Sequence, residues 1–126
     1  MILEAVAEFL KSERVAVGGK DLFIHEMPSK VSIGVLLLTP LSGTTINHEL
    51  PKYRTAGFQV IVRHTDHVNG RLLVDQVMAS LTMANVTLGG LKVNFIRPKH
   101  EPVVYPTSEG DFLEFSVNYD ANYVMA

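Results

Sequence analysis

The stretch Asp111-Phe112-Leu113-Glu114-Phe115-Ser116-Val117-Asn118-Tyr119-Asp120-Ala121-Asn122-Tyr123 alternates side-chain character along most of its length. Leu113, Phe115, Val117, Tyr119, Ala121 and Tyr123 fall on one face, and Glu114, Ser116, Asn118, Asp120 and Asn122 on the other. Successive side chains of a strand point to opposite faces, so a period of two over this length predicts one long strand, Asp111 to Tyr123. Its apolar face belongs on a core and its polar face on an exposed surface. A sheet must therefore form around it.

Working back from that strand, His100 to Gly110 contains Pro102, Pro106 and Gly110 and reads as a loop. Val86 to Leu88 and Leu91 to Ile96 flank Gly89-Gly90, the signature of a hairpin with a two-residue turn. Before it, Val68, Leu72, Leu73, Val74, Val77, Met78 and Leu81 predict a helix from His67 to Ala84, with Asp66 as its N-cap and Asn85 at its end. Phe58, Val60 and Val62 alternate with Gln59 and Arg63 and mark another strand.

Thr39 to Ala56 shows no period and holds two prolines and a glycine. A structureless stretch of this length inside a small domain is uncommon and often functional. Further back, Val31 to Leu38 and Leu22 to Ile24 read as strands, and Gly18-Gly19 as a break. Ile2, Leu3, Val6, Phe9 and Leu10 recur at helical spacing and predict an amphipathic helix over Ile2 to Ser12. The order is helix, two strands, long loop, strand, helix, hairpin, long strand. Most connections are short and suit antiparallel pairing, which gives an α+β fold.

The chain has 126 residues, the size of one domain spanning 1–126. At this size folding hides roughly two-thirds of the unfolded surface, enough for one modest core. There are no cysteines, which excludes disulfides and thiolate metal sites. Met1 to Leu10 includes Glu4 and Glu8 without a basic segment and is not expected to be a signal peptide. Val31 to Leu38 is too short to span a membrane as a helix. The net charge of −2 argues against binding DNA through its phosphates.

No nucleophile elbow, phosphate-binding loop or dinucleotide fingerprint occurs. His64, Asp66 and His67 form the one metal-like cluster in the sequence, and a small metal-binding enzyme domain built on them is an alternative. Against it, the cluster straddles a strand end and a helix start, and Asp66 already has a role as a cap. Glu114 and Asp120 share a strand face about 20 Å apart at strand rise, too far to act as a pair. Tyr53-Arg54 is the single local pairing of aromatic and basic residues. The expectation is a non-enzymatic protein with no cofactor.

Taken in order, the chain shows G-G-K-D-L-F-I (Gly18 to Ile24), F-Q-V-I-V-R (Phe58 to Arg63) followed by a helix, N-V-T-L-G-G-L-K-V (Asn85 to Val93), I-R-P (Ile96 to Pro98) and F-L-E-F-S-V-N-Y (Phe112 to Tyr119). This succession resembles the tail terminator and minor capsid (tail-completion) proteins of long-tailed bacteriophages. The resemblance covers nearly the whole chain, and F-Q-V-I-V-R and E-F-S-V-N-Y carry most of it.

The resemblance implies a mainly antiparallel sheet with two helices packed on it. It also implies a hexameric homo-oligomeric ring at the head-proximal end of the tail tube. Such a ring ends tube polymerisation and meets the head connector, while DNA passes through the lumen unbound and no membrane is involved. The expected partners are the tail tube protein and a head-completion protein, the location the head-tail junction of the virion, and the place of assembly the host cytoplasm. A head-completion or neck adaptor protein is the alternative within the same assembly.

Two groups of residues are candidates for contacts. Leu41, Ile46, Leu50 and Tyr53, with Arg54, give the long loop an apolar character that suits a subunit or tail-tube interface; the competing reading folds them back onto their own core. Glu114, Asn118 and Asp120 lie on the polar strand face and suit either a ring lumen or bulk solvent.

Overall fold

The C-terminal strand has a strand partner on both sides, which places it inside the sheet. A computed structural model describes residues 2–13, 22–28, 31–39, 44–106 and 112–125. In chain order these form α1 (Ile2–Ser12), β1 (Leu22–Ile24), β2 (Gly34–Leu38), β3 (Thr45–Ile46), β4 (Tyr53–His64), α2 (His67–Leu81), β5 (Met83–Leu88), β6 (Leu91–Pro98), β7 (Val103–Pro106) and β8 (Leu113–Met125). All eight strands join one sheet in the order β1-β2-β4-β8-β6-β5, with β3 pairing β4 and β7 pairing β8. The β1–β2 pair is parallel and every other pair is antiparallel. The α+β class with a mainly antiparallel sheet is therefore observed.

Along one side β8 pairs with β4 without interruption, from Tyr53↔Val124 to His64↔Leu113. Along the other side, β6 covers its C-terminal half and β7 its N-terminal end. Where the partner strand breaks, Lys99 N–H donates to Asn118 O at 2.8 Å. Asn118 N–H donates to His100 Nε2 at 3.2 Å. The backbone of a buried strand needs a partner at such a break, and here a side chain helps supply it.

The apolar face of β8 behaves as its period requires. Phe115, Val117, Tyr119 and Ala121 are fully buried, and Val60, Val62 and Phe58 of β4 join them. Both helices pack on this face. α1 contributes Ile2, Leu3, Val6 and Leu10, and α2 contributes Val74, Val77 and Leu81. One continuous hydrophobic cluster links these residues with Leu91, Val93 and Ile96 of β6. Burying each such side chain contributes about 1.5–3 kcal/mol.

Local chemistry explains several boundaries. Asp66 accepts from Asn69 N–H at 2.9 Å and caps α2, as predicted. The helix stops at Leu81 rather than Ala84. Thr82 turns to extended backbone and closes the last turn with its N–H and Oγ1 on Met78 O, and Met83 begins β5. Gly89 and Gly90 have φ of 51° and 82°, which two-residue hairpin turns of type I′ require.

Four further expectations are corrected. Thr39 to Ala56 is not structureless where it is described, because β3 pairs with β4 and β4 begins at Tyr53, five residues before Phe58. The period is hidden there because Arg54 sits on the core-facing side, opposite Tyr123, and folds its guanidinium back onto Pro51 O and Tyr53 O. The proposed loop His100 to Gly110 contains β7. The second strand begins at Gly34 rather than Val31. The last strand is shifted to Leu113–Met125. Gly18-Gly19 lies outside the described residues.

Two features of the core set how it responds to substitution. Gly70 is buried inside α2, and a Cβ there would overlap the Phe115 ring and touch His64 Cβ at 3.0 Å. Gly to Ala in a helix interior ordinarily stabilises by about 1 kcal/mol. Here Gly70→Ala is expected to destabilise by about 1–3 kcal/mol, because the fully buried ring must move; a rise in urea midpoint would contradict the close packing.

The Tyr119 ring stacks on Phe58 at 5.0 Å and 4°. Its hydroxyl is buried without a hydrogen-bond partner among the described residues, and burial pushes its pKa well above the ordinary 10.0. A raised folded-state pKa gives stability that is complete below the unfolded value and is lost as pH rises above it. Tyr119→Phe should therefore raise the thermal midpoint and lose less stability than the parent between about pH 10 and 12. Burial also raises Tyr123, so the alkaline slope is reduced rather than abolished. An identical slope in both proteins would show that Tyr119 does not titrate as described.

Candidate functional site

The hairpin formed by β3 and β4 extends the sheet beyond the end of β2. Its tip is built from short-range bonds. Asn47 Oδ1 accepts from Glu49 N–H at 2.9 Å and Leu50 N–H at 3.1 Å. Tyr53 N–H donates to Leu50 O at 2.9 Å. Met125 N–H donates to Lys52 O at 2.8 Å and ties the tip to the end of β8. Asparagine closing a turn on the backbone two and three residues ahead is a local ordering device.

This ordered tip holds two large apolar side chains outward, Ile46 at 51% and Leu50 at 57% exposure. They do not fold back on the core. Tyr53 is half-buried on the sheet face, and Arg54 is half-buried on the core side. Leu41 lies outside the described residues. The structure thus brings Ile46, Leu50, Tyr53 and Arg54 onto one hairpin, with two of them pointing outward.

Neither helix covers the opposite face of the sheet. In the direct pairings of β4 and β8, Thr55 faces Asn122, Gly57 faces Asp120, Gln59 faces Asn118, Ile61 faces Ser116 and Arg63 faces Glu114. Polar character here does not mean exposure. Ser116 and Asn122 are only 7% and 5% exposed, because neighbouring side chains on flanking strands close over them. Gln59 Nε2 donates to Ser116 Oγ at 2.6 Å. Asn122 receives Asn94 Nδ2 on its Oδ1 at 2.6 Å and donates Nδ2 to Tyr53 Oη at 2.6 Å and Thr55 Oγ1 at 3.2 Å. This network joins β4, β6 and β8 at the base of the hairpin.

The three predicted polar-face residues therefore differ. Asn118 is exposed. The Asp120 side chain is 40% exposed and pairs with Lys99 at 3.5 Å. Glu114 is drawn into the structure: it accepts from Arg63 Nε and Nη2, each at 3.2 Å. Arg63 also donates from Nη1 to Pro28 O and Val31 O, each at 3.0 Å. That guanidinium pins the β1–β2 connection to the sheet. A shallow cleft of about 410 Å³ runs over Gly57, with Thr39, Thr45, Gln59, Lys99 and Asp120 around it.

His64, Asp66 and His67 are occupied by structural tasks. Asp66 N–H donates to His64 Nδ1 at 3.0 Å, the Asp66 carboxylate caps α2, and the His67 ring sits 5.8 Å from that of Phe115. Among the described residues, no three His, Asp or Glu side chains are grouped to hold a metal ion. Among them also, no helix is long and apolar enough to cross a membrane.

Sequence reasoning missed two exposed apolar pairs. Val68 and Leu72, counted among the apolar residues that predict α2, are 66% and 59% exposed. The run Leu72-Leu73-Val74 carries the warning, since three consecutive residues cannot share one helix stripe. Val103 and Tyr105 of β7 are 42% and 54% exposed, and their alternation was masked by the surrounding prolines.

Residues 9–125 match the model of a family described as bacteriophage tail terminator protein. Comparison with curated proteins gives no match. Among solved structures, the chain is similar to one in the virion of a native gene transfer agent particle, with a TM-score of 0.69 and 14% identity. The match covers 96% of this chain and 92% of that one, and at this identity the likeness is one of fold. The family match, spanning almost the whole of the sheet and α2, leads to one conclusion: this chain belongs to the bacteriophage tail terminator family and is a structural protein of the phage tail.

Proposed function

We propose that the chain acts as one tail-terminator-like domain in a homo-oligomeric ring, hexameric by family resemblance, at the head-proximal end of the tail tube. In this reading the ring stops tube polymerisation and offers its other surface to a head-completion or connector protein. DNA passes through the lumen without specific binding, and assembly takes place in the host cytoplasm. No step of this function requires catalysis or a cofactor.

The observation that carries the reading is the hairpin tip, in a chain whose family is that of tail terminators. It is ordered by Asn47 yet leaves Ile46 and Leu50 half in water. Pre-ordered apolar side chains reduce the entropy lost on association. The modest net charge of −2 agrees with a lumen through which DNA moves without adhering.

Loss of the gene is expected to give tails of abnormal length, whereas loss of a neck adaptor would give normal tails and unjoined heads. Negative-stain microscopy and light scattering of purified protein should find rings. A strictly monomeric protein that is also inert toward tail tubes would overturn the proposal.

At residue level, the double variant Ile46→Asp, Leu50→Asp should unfold within about 0.5 kcal/mol of the parent, since both side chains are exposed, and should fail to terminate tails. Normal tails from that variant would remove the hairpin from the interface. On the polar face, Asn118→Lys and Asp120→Lys should fold normally and impair assembly or DNA passage. Glu114→Lys should instead lower stability, by leaving the half-buried Arg63 facing a second cation. Normal infection by both of the first two variants would make that face solvated surface alone.

A further inference from the structure

Glycine is disfavoured inside a helix, yet α2 carries one at position 70. Packing explains it, because a Cβ there would overlap the fully buried Phe115 ring. The residue before it is Asn69, so the contact that demands glycine also creates an asparagine–glycine pair. It is the one such pair in the chain. Asn47, Asn85, Asn94, Asn118 and Asn122 precede His, Val, Phe, Tyr and Tyr.

That pair has a chemistry of its own. The main-chain nitrogen after an asparagine can attack the side-chain carbonyl carbon, Cγ. A C–N bond forms, the side-chain nitrogen leaves as ammonia with the proton of the attacking amide, and a cyclic imide remains. Water then opens the ring at either carbonyl, giving aspartate or isoaspartate. A side chain on the following residue obstructs the attack, and glycine has none.

The fold restrains the reacting atoms. Asn69 is exposed, so water reaches it. Gly70 N–H, however, is committed to Asp66 O at 2.9 Å, and Asn69 N–H to the Asp66 carboxylate at 2.9 Å. Together these bonds hold Asn69 in the first turn of α2. Closing the ring requires the peptide unit between Asn69 and Gly70 to rotate out of the helix, which breaks the bond to Asp66 O. Both restraints therefore come from one residue.

We propose that Asn69 is a site of spontaneous deamidation, with water as co-reactant, and that the Asp66 cap sets its rate through local opening of the first turn of α2. Helix ends open at lower free energy than the whole fold. The two products act differently on the structure. Aspartate at this position adds a carboxylate to the first turn, where the helix dipole favours it. Isoaspartate adds a carbon to the main chain between residue 69 and Gly70 and displaces Gly70 from its place against Phe115.

The test incubates the full chain in mildly alkaline buffer and reads conversion at residue 69 by peptide mass and isoaspartate content. Conversion should be fastest in urea above the unfolding midpoint and at least about tenfold slower in the folded parent. D66A removes a cap worth about 1 kcal/mol and should convert about fivefold faster than the folded parent. D66N keeps a capping oxygen and should return close to the parent rate. V93A weakens the core where β6 pairs with Tyr123, at the other end of β8 from Phe115, and should leave the rate unchanged. Circular dichroism establishes that each variant is folded.

Equal rates for the folded parent and the protein in urea would overturn the proposal, because α2 would then give no protection. D66A reacting at the parent rate would remove the cap from control. V93A accelerating as much as D66A would place the reaction in the globally unfolded chain and overturn local opening. Earlier conversion of another asparagine in the folded parent would overturn the assignment of the site.

Discussion

The uninterrupted antiparallel ladder between β4 and β8 is the constraint on which the other parts depend. It aligns Phe58, Val60 and Val62 beside Tyr119, Val117 and Phe115, so that one face becomes a dry floor for both helices. The same register sets Thr55 beside Asn122 and Arg63 beside Glu114 on the other face. A slip of one residue would exchange the two faces and bury the charges. The hairpin tip also depends on this ladder, because it is the continuation of β4 beyond β2, anchored through Lys52 to Met125 of β8.

Much of the fold was legible because it follows from short periods. The α1 boundaries, the Asp66 cap, the Gly89-Gly90 turn and the buried face of β8 each rest on residues close in sequence. The misplacements came where a residue's partner was distant or its role inverted. Arg54 occupies a core-side position that an apolar residue would have advertised. Thr82 ended α2 by bonding back to Met78, although the residues after it, Met83 and Ala84, suit a helix. β7 was hidden because proline and glycine around it read as loop chemistry, yet four residues beside a long strand suffice to pair.

The candidate surface was half legible. Ile46 and Leu50 stood out as apolar residues in a polar stretch, but whether they faced inward depended on the Asn47 turn and on β3 pairing with β4. Glu114, Asn118 and Asp120 looked equivalent on a strand of period two. They separate once Arg63 claims Glu114 and Lys99 approaches Asp120, contacts that join residues far apart in the chain. The family resemblance supplied what local patterns could not, a setting of several assembled proteins in which an exposed apolar tip would have a use. Family membership is now shown across residues 9–125.

The break between β6 and β7 has a mechanical consequence. One side of β8 is a single continuous seam, while the other is two seams joined by His100 and Lys99. A sheet with such a joint is stiff along the first seam and divisible along the second. The β7 corner can open at the cost of four residue pairings, while the β6 corner is backed by Leu91, Val93 and Ile96 in the core. Opening it would release Val104 from its place against the core but leave the β4–β8 ladder, and the floor it forms beneath the helices, paired as before.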